Sequence, residues 1–192
     1  MRTRESADEK IEVVFTADQI AAAIDRMARE IARDYAQRSL LIVGILKGAM
    51  FVVSDLARAL AGVQNGPVCT LDFMAVSSYG NQTRSSGEVR LLKDASESIE
   101  GRDVLIVEDI VDNGLTLEYI HGLLASRKPR SLRTAVLLDK PYRRLVDVPL
   151  DYVGLIVPDA FVVGYGLDYQ ERYRTLPFIA NLILPDSGEP AH

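Results

Sequence analysis

A chain of 192 residues, 48% apolar and 26% charged, has room for one domain around one substantial core. A net charge of -5 with scattered arginines argues against a nucleic-acid surface, and no apolar run approaches the roughly 18 residues that cross a bilayer. The first ten residues mix both charge signs without the apolar core of a signal peptide, and the single cysteine, Cys69, excludes an internal disulfide and suits a reducing compartment, so a cytoplasmic location is expected.

Residues Ala17 to Ala36 read as an amphipathic helix, with Thr16 or Asp18 as cap and Ile20, Ile24, Met27 and Ile31 at helical spacing. A buried strand, Leu40 to Leu46, and a helical stretch, Gly48 to Leu60, follow as a strand-loop-helix unit. Val68 to Val76 reads as the next strand. The segment Ser77 to Gly87 is small, polar and flanked by glycine, which fits a mobile loop, and Val89 to Leu92 fits a short antiparallel return. Val104 to Val107, Arg133 to Leu138 and Tyr152 to Val157 supply further strands. Helical linkers separate most of them, so an α/β fold with a largely parallel sheet is expected. The tail Pro185 to His192 is expected to fray.

The stretch Val104 to Thr116 carries most of the chemistry. Its apolar run reads as a strand covered on both faces, and it then meets three carboxylates, Glu108, Asp109 and Asp112, before Gly114 and Thr116 open a helical pattern. Backbone amides of residues 112–116 at a helix start form a nest for a phosphate, and the Thr116 hydroxyl adds a donor. Carboxylates beside a phosphate need their own partner, for which a ribose diol or Mg²⁺ is suitable. Other phosphate motifs fail. Gly44-Ile-Leu-Lys-Gly48 has the wrong spacing for a Walker loop, and Gly164-Tyr-Gly166 lacks the third glycine of a dinucleotide fingerprint.

The segment Val107-Glu-Asp-Ile-Val-Asp-Asn-Gly-Leu-Thr116 resembles the phosphoribosyl-diphosphate signature of type I phosphoribosyltransferases. Three further pieces, Gly44 to Gly48, Leu71 to Tyr79 and Val157 to Tyr169, narrow the resemblance to the hypoxanthine (hypoxanthine-guanine) members. It runs from about residue 10 to about residue 184 with the motifs in the same order. The resemblance implies a type I phosphoribosyltransferase fold: a mainly parallel twisted sheet flanked by helices, a core over about residues 37–160, a small hood from about 1–16 and 161–184, and a flexible lid at 77–87.

The same resemblance implies roles for individual residues. Glu108 and Asp109 hold the ribose hydroxyls, directly or through Mg²⁺, and Asp168 is a further metal carboxylate near the diphosphate and the base. Asp112, Asn113, Gly114, Leu115 and Thr116 bind the 5-phosphate. Asp112, whose type also fits a turn or helix cap, exchanges a proton at purine N7. Lys47 and Gly48, at a loop with a possible cis peptide, bind diphosphate with Arg174, for which Arg172 is a neighbouring alternative. Lys140, Ile110, Phe161 and Val162 bind the purine; a lysine donates and does not accept, so it favours a 6-oxo group over a 6-amino group. Ser78 and Tyr79 belong to the lid. Two positions depart from the family pattern, Asn113 where Thr or Ser is usual and Leu115 where some members carry Lys, and changed affinity rather than lost function is expected.

The function implied is Mg²⁺-dependent transfer of 5-phosphoribosyl from 5-phosphoribosyl 1-diphosphate to N9 of a 6-oxopurine, in purine salvage. A homodimer or homotetramer is implied, with small-molecule substrates and neither nucleic acid nor membrane as partner. The alternatives are a xanthine- or pyrimidine-preferring transferase and a nucleotide-sensing or nucleic-acid-binding regulator on the same fold. A receiver-like signalling domain would need its acidic pair after the first strand, where this chain has Gly44 to Gly48.

Overall fold

The computed structural model describes residues 9–79 and 88–184. In chain order the elements are β1 (Lys10–Phe15), α1 (Ala17–Asp34), β2 (Ser39–Leu46), α2 (Met50–Ala61), β3 (Val68–Tyr79), β4 (Glu88–Lys93), β5 (Asp103–Val111), α3 (Leu115–Ala125), β6 (Ser131–Asp139), β7 (Tyr152–Ile156), β8 (Val162–Val163) and β9 (Ile179–Ile183). Thr16 caps α1 reciprocally: its hydroxyl accepts from the Gln19 amide at 3.3 Å, and its own amide donates to the Gln19 side chain at 2.9 Å. Two otherwise orphaned donors are thereby satisfied.

Six strands form the main sheet in the order β4-β3-β2-β5-β6-β7, parallel except for β4, which returns antiparallel along β3. Its two faces carry separate apolar clusters. Val104 and Ile106 join the cluster under α3, while Leu105 and Val107 join the one under α1 and α2. Burial on both faces is what a continuous apolar run requires. The strand order turns at β2 and β5, which lie side by side with Gly44 opposite Val107. Their carboxyl ends therefore open at the topological switch point, where open α/β sheets hold ligands. A second sheet, β1-β9-β8, joins both ends of the described chain and is antiparallel throughout.

Two boundaries differ from expectation. Ser77, Ser78 and Tyr79 continue β3 instead of forming loop, because β4 supplies ladder partners: Ser77 faces Arg90, Ser78 faces Val89 and Tyr79 faces Glu88. Pairing overrides their loop-like composition; the remainder of the expected lid, 80–87, lies outside the described residues, as do 1–8 and the tail 185–192. The strand expected over 104–107 runs on to Val111, since β6 keeps pairing beside it, with Glu108 opposite Val136 and Ile110 opposite Leu138. The acidic pair thus sits within the strand, not beyond its end. No helix among the described residues is long and apolar enough to cross a membrane.

Candidate functional site at the carboxyl ends of two parallel strands

Near its carboxyl end the β5 strand brings Glu108 and Asp109 into an environment that disfavours their charged forms. Glu108 is buried, and burial followed by repulsion from Asp109 pushes its carboxyl well above the usual range. Burial also raises Asp109 to about 6, although the Ile110 amide donates to its Oδ1 at 3.0 Å. Beyond them Glu108, Ile110, Asp112, Asn113, Gly114 and Thr116 line a cavity of about 250 Å³ at the start of α3. Gly114 occupies the helix N-cap at φ 89°, a conformation that disfavours other residues. The amides of this nest are not all free: Leu115 donates to Asn113 Oδ1 at 3.0 Å. Asn113 Oδ1 therefore acts as an acceptor within the loop, while its side-chain nitrogen remains a donor.

A neighbouring segment braces that loop. The Leu145 amide donates to the Asn113 carbonyl at 2.9 Å, and Arg144 Nε donates to the Asp112 carbonyl at 3.3 Å while its terminal nitrogen pairs with Asp139. Both members of that ion pair are mostly buried, at 17% and 15% side-chain exposure. The sequence reading missed Arg144 and Asp139. The only local signal was two adjacent arginines after Lys140 and Pro141.

Across the switch point, the peptide Leu46–Lys47 is cis, and the next residue is wedged between the Asp109 carboxylate and the Gly166 backbone. A Cβ on Gly48 would stand 1.7 Å from Asp109 Oδ2, and a Cβ on Gly166 would stand 2.1 Å from the Gly48 carbonyl oxygen. Glycine is required at both places by close approach. Arg174 reaches this junction by donating to the Gly166 carbonyl at 2.7 Å and pairing with Asp168 at 2.7 Å. Glu171 bridges Lys47 at 2.9 Å and Arg174 at 3.3 Å, and its amide donates to Asp168 Oδ2 at 2.9 Å. Arg172, the alternative to Arg174, turns away to pair with Glu9 at 2.6 Å.

The third wall comes from β6 and the strand-poor segment after β7. Lys140 is 5% exposed; burial lowers its ammonium below the usual value, and nearby Asp112 opposes that shift. Its Nζ donates to the Ala160 carbonyl at 2.6 Å, which joins it to the chain just before Phe161. Phe161 is half exposed and meets Tyr169 edge to face at 5.8 Å, while Val162 is buried in β8. An exposed aromatic face beside a desolvated cation can receive a flat polar ring. Glu108, Asp109 and Asp168 do not gather into a three-ligand cluster: none of three or more such side chains is found among the described residues.

Comparison with known proteins places this geometry in context. The model of the phosphoribosyl transferase domain matches residues 12–170. The hypoxanthine-guanine phosphoribosyltransferase of Mycobacterium tuberculosis is 52% identical over 177 residues, covering 88% of this chain and 85% of that protein. The bifunctional protein TilS/HprT of Listeria monocytogenes is 48% identical over 170 residues; the match covers 88% of this chain and 26% of that protein, so the chain spans about a quarter of the length of this relative. A crystal structure of a hypoxanthine phosphoribosyltransferase from Staphylococcus aureus superposes with a TM-score of 0.84 at 45% identity, covering 94% of this chain and 97% of that one.

Proposed function

The chain belongs to the phosphoribosyl transferase family, and from that premise we propose that it is a purine-salvage enzyme, a hypoxanthine-guanine phosphoribosyltransferase. It transfers 5-phosphoribosyl from 5-phosphoribosyl 1-diphosphate to N9 of hypoxanthine or guanine, forming the nucleoside monophosphate and diphosphate. The observation that carries this reading is the pairing of two loops at one switch point: the Lys47–Gly48 backbone lies against Asp109 of β5, whose loop then opens onto α3. Relatives of about half-identical sequence carry that enzyme name. A xanthine or pyrimidine preference and a regulatory role have no such support.

In this reading the cavity at residues 108–117 takes the 5-phosphate and ribose, with the remaining amides and the Thr116 hydroxyl as donors. Lys47, Gly48 and Arg174 hold the diphosphate, and Arg174 supplies a fixed positive charge where negative charge grows as the C1–oxygen bond breaks. Lys140 donates to the 6-oxo group, and Phe161 stacks on the base with Ile110 on its other face. Asp112, electrostatically close to Lys140, takes the purine proton as the N9–C1 bond forms. The donor set suits Mg²⁺, because Glu108, Asp109 and Asp168 offer only hard oxygens and desolvation raises the first two above the usual carboxylate range, a cost a bound cation would relieve. That ion needs only one or two protein carboxylates when substrate oxygens complete its shell. When bound, it supplies positive charge to the diphosphate oxygens.

The β1-β9-β8 sheet serves as a hood over a single phosphoribosyltransferase domain, and the 77–87 region as a lid. A homodimer or homotetramer in the cytoplasm completes the proposal. The test is product formation: hypoxanthine, 5-phosphoribosyl 1-diphosphate and Mg²⁺ should yield inosine monophosphate and diphosphate in equal amounts. No nucleotide from either hypoxanthine or guanine would sink the reading.

A further inference from the structure

Tyr165 sits in a conformation that large side chains rarely adopt, with φ 48° between two glycines that also have positive φ. Such an outlier persists only where its surroundings hold it in place, and it invites a functional reading. The turn is tied by Gly164 donating to Leu167 at 3.0 Å, Tyr165 to Leu176 at 2.9 Å and Gly166 to Arg174 at 2.9 Å. The Tyr165 side chain leaves this turn and crosses to α2. Its ring lies 6.0 Å from that of Phe51, tilted by 40°, and its hydroxyl donates to Asp55 Oδ2. Burial, followed by the bond to Asp55, raises the phenol far above its ordinary range, which keeps it a neutral donor.

The two ends of this bond lie on opposite sides of the Gly48–Gly166 contact. Asp55 rides on α2, the helix that starts directly after the Lys47–Gly48 loop, and Tyr165 precedes Gly166, whose carbonyl Arg174 grips. A second tie between the same two arms, Lys47 to Glu171, is 66% and 64% exposed and is therefore screened by solvent. We propose that Tyr165 and Asp55 are a positioning pair that fixes the spacing between the Lys47–Gly48 backbone and Arg174, and so sets affinity for the diphosphate group. Neither side chain touches substrate. The proposal rests on the reading of Lys47, Gly48 and Arg174 as the diphosphate subsite.

The test is steady-state kinetics with each substrate varied, together with calorimetric titration of diphosphate. Tyr165→Phe keeps the ring and removes the hydroxyl. It should raise KM for 5-phosphoribosyl 1-diphosphate and Kd for diphosphate about tenfold, as expected for losing one bond to a charged acceptor, and leave KM for hypoxanthine within about twofold. Asp55→Ala should match it. Asp55→Asn, which retains an acceptor oxygen, should recover most of the affinity. The double variant Tyr165→Phe/Asp55→Ala should be no weaker than either single one. A KM for 5-phosphoribosyl 1-diphosphate unchanged in Tyr165→Phe, or KM values for both substrates rising equally, would overturn the pair's role. Wild-type protein that makes no nucleotide at all would instead overturn the underlying functional reading, so the two failures are distinct.

Discussion

Gly48 and Asp109 are in such close contact that no side chain at 48 can coexist with the carboxylate where it stands: an added Cβ would lie 1.7 Å from Oδ2 and 2.4 Å from Cγ. The residue after the cis peptide and the third acidic residue of β5 are therefore one structural unit, although they belong to different strand-loop units.

Gly48→Ala should force Asp109 or the loop to move and should cut kcat/KM for 5-phosphoribosyl 1-diphosphate by about 100-fold or more, as expected when a positioned binding group is displaced. Overpacking should also lower stability by about 1–3 kcal/mol. Kinetics and thermal unfolding check this together; activity within twofold of wild type would refute the contact's importance.

Asp109 predicts a pH-dependent penalty on the protein without ligands. Its folded-state value of about 6 lies above the ordinary 3.8. Between about pH 4 and pH 6 the folded chain holds a proton that the unfolded chain releases, so this group's contribution to stability falls as pH rises through that window. Asp109→Asn removes the penalty. The variant should melt about 3–6 °C higher than wild type at pH 7.5, with the difference shrinking as pH falls and vanishing below about pH 4, while it loses activity. Scanning calorimetry across pH checks the sign, and a wild-type protein that is the more stable of the two at pH 7.5 would contradict it.

Arg144 holds the Asp112–Asn113 loop from behind. Arg144→Met would leave Asp139 without its partner and the Asp112 carbonyl without its donor, at a cost of about 1–3 kcal/mol. KM for 5-phosphoribosyl 1-diphosphate should rise several-fold as well. Adding Asp139→Asn should restore part of the stability, because the uncompensated charge is gone. Chemical denaturation of the single and double variants measures this.

Much of this architecture was legible locally. The run Val104 to Val107 announced a strand covered on both faces, and the two core clusters lie on its two sides. The order of strands and helices followed from the changes in apolar period. Composition misled at Ser77 to Tyr79, where a neighbouring strand decides the outcome, and at Glu108 and Asp109, where ladder pairing with β6 extends through polar residues. Tyr165, Asp55 and Glu171 escaped the sequence reading for a different reason. Tyr165 meets Asp55 across a separation of 110 residues, and Lys47 meets Glu171 across 124, so no local pattern could join them.

Lys140 should decide which bases are accepted. Lys140→Met removes the donor opposite the 6-oxo group and should reduce kcat/KM for hypoxanthine about 100-fold, as expected for leaving a polar group unpaired in a buried site. The preference for hypoxanthine over adenine should shrink in proportion. Competition kinetics with both bases measures it, and an unchanged preference would place base selection elsewhere.

The most direct measurement is the initial rate of nucleotide formation from hypoxanthine, guanine, xanthine, adenine and uracil, each with 5-phosphoribosyl 1-diphosphate and Mg²⁺. The account predicts rapid formation of the monophosphates of hypoxanthine and guanine and essentially none from adenine or uracil. Turnover of adenine or uracil in preference to the 6-oxopurines, or no turnover of hypoxanthine and guanine, would contradict it.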